Sequence, residues 1–210
     1  NQIPGAVLIP KGEFLNGNAL ALLPSVDSGK QVVLHCKSGV RSAECLAVLK
    51  GARAGLVLTV SEGARREIVS HFGLAPDRIR CVYPGVATLQ TQATAAIARE
   101  PLVLFVGSVF NRRHLPDLIR AFKPIARRHG EARLEIVGDN RTHPHEDLPA
   151  IVDAEDLRSQ VTLRPYVFDA ELAGLYGRAR AFAFLSEYEG FGHPPLEALR
   201  AGVPSVLFDA

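Results

Sequence analysis

The side chains best suited to chemistry fall in two short runs, HCKSGVRS at residues 35 to 42 and EGFGHPPLE at residues 189 to 197. In the first, Cys36 follows the apolar run QVVLH and precedes SAECLAVLK, so the pattern predicts a thiol at a strand end, in a loop that opens a helix. Loop amides and a helix N-terminus converging on sulfur favour the thiolate, which is the nucleophilic form. Gly39 permits the backbone angles such a loop needs, and Arg41 supplies charge for an anionic substrate. In the second run, Glu189 and Glu197 flank the turn Gly190, Phe191 and Gly192, and Pro194 and Pro195 suit the first turn of a helix. Free amides at such a start attract phosphate, making Gly190 to His193 a candidate pyrophosphate cradle, while the carboxylates accept sugar and ribose hydroxyls. A plainer alternative stands beside this one. Glu197, placed in the first helical turn, would only complement the helix dipole, and Glu189 would be a solvated loop charge.

The surrounding chain must position these groups. Short β-branched runs (AVLI, QVVLH, LVLTV, RIRCVY, LVLFVG, LEIVG, VTLRP, AFAFL, SVLFD) alternate with helical stretches such as GARREIVSHF, PDLIRAFKPIARR, DAELAGLYGRA and PPLEALRAG. That alternation predicts an α/β fold with a mainly parallel sheet, whose ligands bind at the carboxyl ends of the strands. Gly107 with Ser108, and Gly138 with Asp139, fall at two such ends. Arg112 and Arg113 follow near a helix start, where they can hold a diphosphate or merely face solvent. Arg164, Pro165 and Tyr166 close a third strand. Pro124 inside the longest helical run is expected to kink or break it. The polar segment TLQTQATAAIARE, residues 88 to 100, reads as a linker.

Composition narrows the function classes. The 210 residues are 47% hydrophobic, enough for a core, and the net charge of +2 gives no case for nucleic acid. No apolar run approaches a membrane span and no signal peptide is visible, so the expectation is a cytoplasmic protein. The absence of methionine, even at position 1, suggests a piece of a longer or processed product. Lys11, Lys30, Lys37 and Lys50 share the first fifty residues with Arg41 alone, whereas Lys123 and eighteen arginines follow. This switch predicts a change of sequence origin near residue 51. Cys36, Cys45 and Cys81 show no metal or disulfide spacing, and Cys45 and Cys81 read as buried structural thiols. His114, His143 and His145 show no ligand spacing, His193 reads equally as a phosphate contact or a capping or surface residue, and no metal is expected.

IPGAVLIPKGEF and VVLHCKSGVRSAECLAVLKGA together resemble a rhodanese-like sulfurtransferase domain, of the kind attached to sulfur-carrier activating enzymes, and cover about half of one. The resemblance implies a persulfide on Cys36, a loop of Lys37, Ser38, Gly39, Val40 and Arg41, and a sulfur-carrier partner. From LVLTVSEGARREIVSHFGLAPDRIRCVYPGV to the last residue, including EGFGHPPLEALRAGVPSV, the chain resembles the retaining glycosyltransferases of GT-B architecture, family four. That resemblance implies transfer from a nucleotide diphosphate sugar to a sugar, lipid or protein acceptor, with no cofactor. It places Glu189 against the donor sugar and Gly190, Phe191 and Gly192 along sugar and diphosphate. Glu197 would bind the ribose, Arg113 the leaving diphosphate, and Tyr166 and Val167 the base. Ser108 stands where that family commonly has arginine, leaving Arg112 or Arg113 to supply the charge.

The expected organisation is a Rossmann-like GT-B donor domain over residues 101–210, truncated at its end. Before it stand the last part of an acceptor-side domain and linker, 53–100, and a partial rhodanese-like segment, 1–52. Glycosyl transfer is the leading function. Sulfur transfer through Cys36 is the alternative, alongside a first segment that only lends strands to a sheet, or a fusion without activity as a unit.

Overall fold

A computed structural model describes residues 57–86 and 98–209. The chain divides into two compact units, residues 1–85 and 86–210. In the first, β1 (Val57–Thr59) and β2 (Ile79–Cys81) pair in parallel, joined by α1 (Glu62–Phe72) and a 3-10 turn at Pro76–Arg78. The start and stop of α1 are written in its sequence. Ser61 Oγ accepts the Ala64 amide at 3.1 Å, and Gly73 ends the helix with φ at 60°. Cys81 is half-buried at the end of β2, not a core thiol, because the short strand ends there. Cys36, Cys45 and the strands and helix expected around them lie outside the described residues.

The second unit is a five-stranded, wholly parallel sheet: β3 (Leu102–Val106), β4 (Arg133–Val137), β5 (Val161–Arg164), β6 (Ala181–Phe184) and β7 (Ser205–Leu207). Its order is β5-β4-β3-β6-β7. The connections β3→β4→β5 run to one side of β3 and β6→β7 to the other, so the order reverses between β3 and β6. A crevice opens beyond the strand ends at such a reversal, and that is where open α/β sheets bind ligands.

The helices are α2 (Leu115–Arg128), α3 (Leu148–Ala154), α4 (Asp169–Arg178) and α5 (His193–Arg200). Leu115, Leu118, Ile119, Phe122 and Ala126 repeat at helical spacing and bury one face of α2. They pack with Leu104, Phe105, Leu134, Ile136 and Phe182 in one continuous core. Contrary to expectation, α2 runs unbroken through Pro124. Pro124 and Arg120 are both exposed, so the carbonyl that loses its amide partner faces water, and the missing bond is tolerated.

Residues 98–100, expected within the linker, are held instead. Arg99 Nη1 donates to the carbonyls of Tyr176 at 2.7 Å, Gly177 at 3.0 Å and Ala179 at 3.1 Å, and Nη2 donates to Ala201 at 2.6 Å. A cation thus sits on the carbonyl ends of α4 and α5, where helix dipoles favour it. No helix among the described residues is long and apolar enough to cross a membrane.

Candidate active site

The crevice between β3 and β6 is lined from both sides. β3 is followed by Gly107 and Ser108, and after Val109 and Phe110 the chain makes a 3-10 turn, Asn111–Arg113. That turn is pinned sideways by Asn111, whose Nδ2 donates to Glu146 Oε1 at 2.9 Å and to the Pro144 carbonyl at 3.1 Å. Its Oδ1 accepts the His143 amide at 2.7 Å. The consequence is a fixed direction for the two arginines that follow.

Arg113 is 7% exposed, and each of its three guanidinium nitrogens has a partner. Its Nη1 donates to the Ser108 carbonyl at 2.6 Å, its Nε to Glu189 Oε1 at 2.9 Å, and its Nη2 lies 2.7 Å from that same oxygen. The guanidinium rests 4.9 Å over the Phe184 ring, which stacks at 5.6 Å on Phe105. Burial pushes the Arg113 guanidinium below its usual range, and the Glu189 carboxylate acts in the opposite direction. Gly107 makes room: a Cβ there would stand 2.5 Å from Arg113 Nη1, and φ is 139°. Gly138, ending β4, is needed more strictly, since its Cβ would lie 2.0 Å from the Gly107 carbonyl oxygen.

From the β6 side come Ser186, Glu187 and Glu189. Ser186 Oγ donates to Glu189 Oε1 at 2.9 Å. Arg112 stacks at 4.6 Å over Phe110, donates from Nε to the Tyr188 carbonyl at 3.0 Å, and holds Nη2 3.8 Å from Glu189 Oε1. The Glu187 amide donates to the Arg112 carbonyl at 3.0 Å, and Glu187 Oε1 lies 2.9 Å from His114 Nε2. Glu189 is therefore the focus of a network, not a solvated loop charge. Arg112, with 37% of its side chain exposed, is the more open of the two cations.

Glu197 requires a correction. It is the fifth residue of α5, not part of the first turn, and dipole complementation fades beyond that turn. The plainer account of Glu197 loses its basis. Instead Glu197 Oε2 accepts the Tyr176 hydroxyl at 3.0 Å, a partner the sequence reading did not identify. Tyr176 is wholly buried, and burial with the adjacent carboxylate pushes its phenol far above the usual value, keeping it a donor. Gly190, Phe191 and Gly192 form the half-buried turn before α5, with Gly192 in the left-handed region at φ 85°. Pro194 and Pro195 lack amides, so donors at this helix start come only from Gly192, His193 and the turn before them.

The remaining sequence candidates divide. Tyr166, following the edge strand β5, is 68% exposed and meets Phe168 edge-on at 5.5 Å. Val167 turns inward and is 6% exposed, a core side chain that leaves only its backbone for a ligand. Cys36, Lys37, Ser38, Gly39, Val40 and Arg41 lie outside the described residues. Among the described residues no group of three or more metal-ligating side chains converges.

Comparison with known proteins shows the family and the fold. The family model for glycosyl transferases group 1 matches residues 88–210. The chain is 30% identical over 166 residues to O-antigen chain mannosyltransferase B of Escherichia coli, covering 73% of this chain and 43% of that protein. It is 31% identical over 164 residues to the D-inositol 3-phosphate glycosyltransferase of Kineococcus radiotolerans, covering 70% and 38%. It thus spans less than half of these relatives. Among solved structures, Anabaena HepE in complex with UDP and glucose is similar with a TM-score of 0.71 at 18% identity, covering 94% of this chain and 57% of that one. WaaG, a glycosyltransferase involved in lipopolysaccharide biosynthesis, is similar at 0.67 and 18%, covering 99% and 67%. The fold is a parallel α/β sheet like that of GT-B glycosyltransferases.

Proposed function

The chain belongs to the glycosyl transferases group 1 family, and from that premise we propose that its second unit is the donor half of a retaining glycosyltransferase that takes a nucleoside diphosphate hexose. The observation that carries this reading is the placement of Glu189, fixed by Arg113 and Ser186 at the point where the strand order reverses. Anion-binding and hydroxyl-binding groups meet there, as the two ends of a diphosphate sugar require.

In this reading Glu189 accepts hydroxyl bonds from the donor sugar and the turn at Gly190, Phe191 and Gly192 lies along sugar and diphosphate. Arg112 and Arg113 bear the diphosphate. Glu197 accepts the ribose hydroxyls, and Tyr166 lies beside the base. As the bond from C1 to the phosphate oxygen breaks, negative charge gathers on the departing diphosphate. Fixed cations stabilise that charge most when water is excluded, the condition met around Arg113. With retention, the acceptor oxygen bonds to C1 on the face the diphosphate leaves, and its proton passes to the leaving oxygen. The likeness to a mannosyltransferase favours a mannosyl donor, and the likeness to a structure holding UDP and glucose favours a uridine donor. Thermal-shift and calorimetric titration with GDP-mannose, UDP-glucose, UDP and GDP test the reading. Saturable stabilisation by at least one, lost in Glu197→Ala, is expected. No response to any of them in the parent protein overturns it.

A further inference from the structure

Tyr176 is not among the donor-contacting residues, yet its side chain is wholly buried and its hydroxyl contacts Glu197. It belongs to α4, not to a strand end, and its ring packs at 5.9 Å against Phe182 with no exposed surface. Packing alone would be served by phenylalanine. The hydroxyl has one proton and two acceptors in range, Glu197 Oε2 at 3.0 Å and the Pro194 carbonyl at 3.4 Å. The carboxylate is charged and nearer, so the proton goes there.

A glutamate on a helix has three side-chain torsions and loses that freedom when it grips a ligand. Glu197 is half-buried, so a ligand reaches it, but it is tethered before the ligand arrives. The tether uses one oxygen and leaves Oε1 free of the phenol. The phenol oxygen also lies 3.4 Å from the Pro194 carbonyl in the first turn of α5, so the tethered carboxylate sits beside the start of that helix. We propose that Tyr176 is a positioning residue that holds Glu197 in the orientation that selects a ribose over a deoxyribose, resting on the reading of Glu197 as the ribose ligand. Ribose selection therefore originates one layer behind the groups that touch the donor.

The test is calorimetric titration of the whole chain with UDP and GDP, their 2′-deoxy and 3′-deoxy counterparts, and pyrophosphate. The proteins are the parent, Tyr176→Phe, Glu197→Gln and the double variant. Charged hydrogen bonds set the scale of the preference, about tenfold for the ribonucleotide over one deoxy form in the parent. In Tyr176→Phe that ratio falls several-fold through weaker ribonucleotide binding, while affinities for that deoxy form and for pyrophosphate hold. The double variant discriminates no worse than Glu197→Gln alone, since both substitutions act through one carboxylate. Equal weakening toward ribo, deoxy and pyrophosphate ligands in Tyr176→Phe, or an unchanged ratio, overturns the positioning role. Failure of the parent to bind any nucleoside diphosphate instead overturns the donor-site reading and this inference with it.

Discussion

Glu189 takes all of its close contacts on a single oxygen: Nε and Nη2 of Arg113 and Oγ of Ser186 lie within 2.9 Å of Oε1. That geometry stores a requirement. With its partner truncated, Arg113 would keep a charge in a site that is 7% exposed. Glu189→Ala is therefore expected to cost about 3 kcal/mol of folding stability, and Glu189→Gln much less, in urea titrations. Equal stability of the two variants would mean the ion pair is not felt. A second residue-scale expectation concerns Gly138, where a methyl group would stand 2.0 Å from a backbone oxygen that cannot swing aside. Gly138→Ala should cost about 3 kcal/mol and weaken nucleotide binding too, because the displaced atom belongs to Gly107. Loss of stability with unchanged nucleotide affinity would show that the strain spreads away from the site.

At the scale of elements, α2 and α3 are fastened by Lys123 and Glu155, 2.7 Å apart. The hydrogen bond and charge of Lys123 hold the Glu155 carboxyl below the usual glutamate value. A depressed folded-state pKa contributes stability that is full above the unfolded value and fades as pH falls through the folded one. The melting-temperature gap between the parent and Glu155→Gln should thus be constant near neutrality and close below about pH 4.3, the ordinary glutamate value. A gap that widens in acid would reverse the assignment. These elements also show what could be read in advance. Strands such as LVLFV and AFAF declare themselves through continuous apolar runs, and α2 through its buried stripe. The short α3 was not anticipated, although Asp147 followed by Leu148 and Pro149 is a helix-start signal, and Asp147 does cap it through Ala150. At the site, the glutamates and arginines were visible as types and spacings. Tyr176, Ser186 and Phe184 were not, because their roles arise from contacts between elements brought together only by the sheet. The direction of Val167 likewise depends on how the chain leaves β5, which its own sequence does not fix.

For the whole second unit, the order of the sheet matters more than any one loop. Strands β3 and β6 are 75 or more residues apart in sequence and become neighbours only because the chain reverses direction across the sheet. That places the candidate site at one end of the layer and Arg99 at the other, since helices returning antiparallel to their strands finish at the amino edge. Arg99→Met removes four donations to helix-end carbonyls and should lower stability by about 2 kcal/mol, with nucleotide affinity retained. A fall in affinity equal to that of Glu189→Ala would contradict this separation of ends. The same residue has a mechanical meaning. Tension applied to the chain at residue 98 would meet four hydrogen bonds loaded side by side, before any strand is peeled. Arg99 is in that sense an anchor bolt, fastening the lead into β3 to the carbonyl ends of two helices at once.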